Sequence, residues 1–113
     1  VYSINNFVLG GTNNGCYIML PGDGGNFGDN SNILHIAEGY TIYDIFYDVN
    51  LSKLILSAGA KGVLVYDWDG ESKNVSFVSH IVSSHAYSAK IFKDSFVIIA
   101  TKYGVEIYHY ETH

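Results

Sequence analysis

Apolar and polar positions fall into blocks, and three of the blocks share one pattern: an apolar run, a short polar turn ending in glycine, and a second apolar run. They are FVLGGTNNGCYIML (Phe7 to Leu20), LILSAGAKGVLVYDW (Leu54 to Trp68) and FVIIATKYGVEIYHY (Phe96 to Tyr110). Their turn glycines, Gly15, Gly62 and Gly104, lie 47 and 42 residues apart. Aligned on those glycines, Leu9 falls with Leu56 and Ile98, Gly11 with Ala58 and Ala100, and Ile18 with Val65 and Ile107. Each block predicts a β-hairpin, because glycine accepts the positive φ of a tight turn and the flanking Val, Ile, Leu, Tyr and Phe suit extended backbone. In Val63-Leu64-Val65-Tyr66 both alternate positions are apolar, which predicts strands covered on both faces.

Further strands extend the pattern. Tyr40 to Tyr47 precedes the turn Asp48-Val49-Asn50 and the second hairpin, and Ala86 to Lys93 precedes Asp94-Ser95 and the third. Downstream, Asn32 to Ile36 and Val75 to Val82 supply a fourth strand, with His35-Ile36 matching His80-Ile81. A four-stranded repeat of about 40 to 50 residues, sandwiched between its neighbours, is the pattern of a β-propeller blade. The expected fold class is all-β: antiparallel four-stranded blades, as a partial blade at 1–39, a complete one at 40–84 and a partial one at 85–113. Propellers close with about four to eight blades, so this segment predicts an incomplete ring. Missing blades, another polypeptide or further copies, in a homo-oligomer, would complete it. The apolar strand Val105 to Tyr110 has no fourth strand beside it in this sequence, and a bare edge invites pairing.

The run Gly62 to Asp67, its partner at Gly104 to His109, and the aromatic segments around Tyr40 and Tyr87 resemble LVIVD-repeat propellers and, more loosely, WD-repeat blades. No Gly-His dipeptide ends a fourth strand as in WD repeats, and His109 stands where the second unit has Asp67. The resemblance implies an exported or cell-surface scaffold and supplies no catalytic residues.

Composition narrows the function. With 15% charged residues and a net charge of −5, a phosphate-binding basic face is not expected, so nucleic acid is not an expected partner. Apolar runs of about eight residues fall far short of the roughly 20 that span a bilayer as a helix, and the chain reads as soluble. The single Cys16 leaves no internal disulfide and no zinc site built on two or more thiolates.

Candidate chemistry is sparse. Asp23, Asp29 and Asn30 in the glycine-rich loop 21–32 offer oxygens to Ca²⁺ but lack EF-hand spacing, and an insertion between strands accounts for them. Asp67, Asp69 and Glu71 surround Gly70, which marks an ordinary hairpin turn, and Trp68 is expected to pack between blades. His35 and His80 occupy matching places on diverging outer strands, so they are not expected to share an ion. Asn50-Leu51-Ser52 and Asn74-Val75-Ser76 fit the glycosylation pattern. No catalytic triad, nucleophile elbow or phosphate loop is visible, and Asp44 with Asp48 does not form an acid–base pair, so no enzyme activity, metal or cofactor is expected of this chain. Innermost-strand lead-in loops line one mouth of a propeller's channel, which makes Tyr40, Tyr43, Asp44, His85, Tyr87 and Lys90 the candidate partner- or ligand-binding residues. The leading function is a non-catalytic protein-interaction or scaffold module, for which ten tyrosines provide rigid amphipathic contact area. The alternatives are a carbohydrate- or small-ligand-binding propeller and a fragment of a propeller enzyme.

Overall fold

The computed structural model describes residues 2–4, 7–19, 33–70, 74–93 and 95–109. Every helix or strand among them is a strand: β1 (Tyr2–Ile4), β2 (Phe7–Thr12), β3 (Gly15–Met19), β4 (Ile33–Ile36), β5 (Asp44–Asp48), β6 (Lys53–Ser57), β7 (Val63–Trp68), β8 (Val75–Ile81), β9 (Ala86–Phe92), β10 (Phe96–Thr101) and β11 (Gly104–His109). They form three antiparallel sheets in simple meander order: β1-β2-β3-β4 (sheet 1), β5-β6-β7-β8 (sheet 2) and β9-β10-β11 (sheet 3). None of the three closes into a barrel. No described helix is long and apolar enough to cross a membrane.

The outer hairpins turn on Gly15 and Gly104 at positive φ, each capped by a threonine three residues earlier. Thr12 Oγ1 donates to the Gly15 carbonyl at 3.0 Å and accepts from Asn14 N–H at 2.9 Å. Thr101 repeats both bonds with Gly104 and Tyr103, at 3.1 Å each. The hairpin between β6 and β7 differs by one inserted residue. Ala58 lies between the last ladder pair, Ser57 with Val63, and the turn Gly59 to Gly62, and its N–H donates to the Gly62 carbonyl at 2.7 Å.

That insertion corrects the alignment on glycines. Side chains alternate along a strand, so one extra residue moves each upstream position to the other face. The residue facing the next sheet, as Leu9 does, is therefore Ile55 and not Leu56. Leu9 opposite Ile18 points from sheet 1 to sheet 2, and Ile55 opposite Val65 points from sheet 2 to sheet 3. Ile98 opposite Ile107 is the matching pair in sheet 3, and Ile107 is 62% exposed.

Two apolar layers hold the stack. Between sheets 1 and 2 lie Leu9, Cys16, Ile18, Ile45, Leu54, Leu56 and Leu64, with Trp68 edge to face against Tyr47 at 5.3 Å and tilted on Phe7 at 5.5 Å. Between sheets 2 and 3 lie Ile55, Val63, Val65, Ala86, Ala89, Val97 and Ile99. Sheet 2 is thus covered on both faces, as its uninterrupted apolar strands require.

The chain crosses from sheet 1 to sheet 2 through residues 40–43, which the apolar pattern reads as the start of a strand. The strand itself begins at Asp44. The Tyr40 carbonyl and Ile42 N–H are bonded to Gly15 and Thr12 of sheet 1, whereas Tyr43 N–H donates to Ser57 of sheet 2. One segment cannot belong to both ladders, so it bridges them. Gly59 and Ala86 exchange two backbone bonds, of 2.9 and 3.0 Å, at the next crossing. Thr12 and Gly59 both stand three residues before their turn glycine, so the same hairpin position ties each sheet to the start of the next.

Burial pushes the Cys16 thiol up from 9.0 to about 12. The folded state therefore keeps the proton where the unfolded thiol loses it, and this contribution to stability, fully present below pH 9, disappears as pH rises through about 12. Ellman's reagent at pH 8 is expected to leave the native thiol unmodified and to titrate one thiol per chain in denaturant. Rapid native labelling would contradict this placement.

Candidate functional site

Three of the six candidate residues meet at the lead-in to β5 and β9. Tyr43, His85 and Tyr87 form a ring cluster with centroid separations of 5.2 Å (Tyr43–His85), 4.9 Å (His85–Tyr87) and 6.4 Å (Tyr43–Tyr87). Tyr43 and Tyr87 remain 52% and 47% exposed, so about half of each residue is open to solvent. Edge-to-face geometry places positive ring edges against negative faces and gives the group a fixed shape without a dense hydrogen-bond network.

Local backbone builds this cluster. Ladder pairing steps from Ser88 opposite Ala100 to Ala86 opposite Thr101, leaving Tyr87 as the unpaired residue of a bulge. The bulge lets Ala86 and Ala89 both enter the apolar layer while Tyr87 turns outward. Opposite stands Gly59, at φ +58, where a Cβ would lie 2.4 Å from Tyr43 Cε2 and 3.0 Å from His85 Cε1. The hairpins of sheets 1 and 3 carry threonine at this position. Glycine here makes room for the rings. The Thr-x-x-Gly spacing at Thr12 to Gly15 and Thr101 to Gly104 was readable in the sequence, and its lapse at Gly59 was the signal that something crowds that turn.

The other three candidates stand apart from the rings. Tyr40 packs on the layer between sheets 1 and 2, edge-on to His80 at 5.9 Å. Tyr40 lies on the segment that bridges sheets 1 and 2, where its carbonyl accepts from Gly15 N–H. Asp44 opens β5 opposite Ser57. The Lys90 ammonium lies 5.9 Å from the centre of the Phe46 ring, a cation–π contact across neighbouring sheets.

His35 and His80 perform one structural task twice. His35 Nε2 donates to the Asn14 carbonyl at 2.7 Å, and His80 Nε2 donates to the Lys61 carbonyl. Each acceptor directly precedes its turn glycine. A carbonyl only accepts, so both rings carry a proton on Nε2. Asp67 is ion-paired with Lys53 across the β6–β7 ladder. Asp69 borders a shallow depression of about 290 Å³ with Ser52, Asp67, Trp68, Asn74 and Ser76. Asp23, Asp29, Asn30 and Glu71 lie outside the described residues. Among the described residues no group of three or more His, Cys, Asp or Glu side chains is placed to hold a metal ion.

Sheet 3 has a small anchor of its own. Glu106 accepts from Ser84 N–H at 3.3 Å and from the Tyr108 hydroxyl at 2.7 Å, tying the segment before β9 to β11. Bonds from Ser84 and Tyr108 hold the Glu106 carboxyl below its usual range, and the Glu106 acceptor pushes the Tyr108 phenol up.

The forward face of sheet 3 is an apolar surface left open. Phe92, Val105 and Ile107 are 46%, 69% and 62% exposed, beside half-buried Phe96 and Ile98. Ile98, Ala100, Val105, Ser88, Ala89 and Lys90 line a depression of about 210 Å³ there. Comparison with known proteins returned no matching family model, no matching curated protein and no matching solved structure.

Proposed function

We propose that the chain is a non-catalytic segment of a β-propeller, a protein-interaction or scaffold module whose ring is completed by further sheets. One observation carries the reading. The three sheets stack in the same sense, and the face that sheets 1 and 2 each bury against a successor is left uncovered in sheet 3. Two further features support it: the link from each hairpin to the next sheet recurs at equivalent positions, and the histidine-to-turn bond recurs in sheets 1 and 2. An apolar face of this kind on a small protein marks a contact surface.

The test is binding of an apolar dye such as ANS to native protein and to Ile107→Lys, each diluted until the copies are dissociated. Ile107 is mostly exposed, so the variant is expected to fold with stability within about 0.5 kcal/mol of the parent while losing at least half of the dye fluorescence. Native protein with no dye signal, or a variant with an unchanged one, would contradict the reading.

The ring cluster favours a second reading, recognition of a sugar or other small ring by stacking on Tyr43 and Tyr87. On a glycan array, any bound sugar is expected to be lost with Tyr87→Ala. An array with no bound sugar removes this reading.

A further inference from the structure

The two ends of the sheet stack complement one another, and this extends the proposed function by naming what covers sheet 3. Each sheet has a backward face as well as a forward one. The backward pair is Leu54 opposite Tyr66 in sheet 2 and Val97 opposite Tyr108 in sheet 3, and both pairs pack against the preceding sheet. The corresponding pair in sheet 1 is Val8 opposite Met19. It is half-buried and flanked by Tyr17, whose ring stacks on His35 at 4.2 Å and 4°. Sheet 1 thus carries the register of a receiving surface, and sheet 3 the register of a presenting one.

We propose that a second copy of this chain covers the forward face of sheet 3 with the backward face of its own sheet 1, so that copies join head to tail. The new contact continues the two stacking interfaces inside the chain, with Ile98 and Ile107 in the places held by Leu9 and Ile18 or by Ile55 and Val65. A head-to-tail contact closes only if its rotation returns to the start. Two copies of three sheets fall within the roughly four-to-eight range in which such a ring closes. The closed pair uses both faces of each copy and leaves neither stack end exposed.

The inference rests on the stacking reading, and a mixing experiment separates the two. Ile107→Lys disables the forward face, and Met19→Lys, with Tyr17→Lys as a second variant of the same face, disables the backward one. In sedimentation equilibrium the parent chain is expected to be a dimer. Each variant alone is expected to be folded by circular dichroism and to associate about 30-fold more weakly or worse. An equimolar mixture of the two variants retains one intact face of each kind and is expected to form a 1:1 pair that grows no further. Variants that dimerise as the parent does, or a mixture that stays monomeric, overturn the head-to-tail contact. A monomeric parent that still binds dye at Ile107 overturns the second copy as occupant and leaves the stacking reading standing. A monomeric parent with no dye binding removes both.

Discussion

Trp68→Ala is expected to destabilise the fold by about 3–5 kcal/mol, the usual range for removing a large aromatic from a core. Trp68 is 1% exposed and joins two sheets: its ring meets Phe7 from β2 and Tyr47 from β5. Its backbone is fixed independently of the ring. Trp68 N–H donates to the Ser52 carbonyl at 3.0 Å, and the Tyr47 hydroxyl donates to the Trp68 carbonyl at 2.7 Å. Alanine therefore keeps the strand in place and leaves a void that the surrounding backbone cannot close. A small domain has only about 5–15 kcal/mol of stability, so the loss shifts the urea midpoint strongly or unfolds the chain. Far-UV circular dichroism in urea reads the effect without the lost fluorophore. A loss under about 1 kcal/mol would mean that Trp68 does not join sheets 1 and 2.

Gly62→Ala is expected to cost about 2–4 kcal/mol, and Gly104→Ala only about 1, although both glycines close a hairpin at positive φ. A Cβ on Gly62 would lie 2.1 Å from the Ile81 carbonyl oxygen, a backbone atom of β8 that is held by its ladder with β7. A Cβ on Gly104 meets nothing within 4 Å, leaving backbone strain alone. The pair isolates the steric part of the effect from the conformational part. Equal losses in urea unfolding would show that β8 does not lie over that turn.

Much of the architecture was legible because the turns carry it. A glycine after two polar residues, between apolar runs, located the outer hairpins to within a residue or two, and the doubly apolar strands of the middle unit announced a sheet with no wet face. The inserted Ala58 was not legible. Its small apolar side chain reads as a strand residue, and only the backbone bonds reveal that it stands opposite Gly62 one step beyond the ladder, which moves Leu56 to the other face. Residues 40–43 were misread for a related reason. Their side chains suit a strand, but their backbone bonds are divided between two sheets, which no side-chain pattern records. The same geometry separates Tyr40 from Tyr43, His85 and Tyr87, four aromatic residues that look alike on the page. Gly59 was visible only as a turn residue, because the rings it admits come from 16 residues before and 26 after it in the sequence.

The most direct test of the account is native mass spectrometry of the undenatured protein across a range of concentrations. The head-to-tail contact proposed for the uncovered face of sheet 3 predicts a species at twice 12.5 kDa that dissociates on dilution. A single 12.5 kDa species at every concentration would contradict it and leave missing sheets or a different polypeptide as what covers this face.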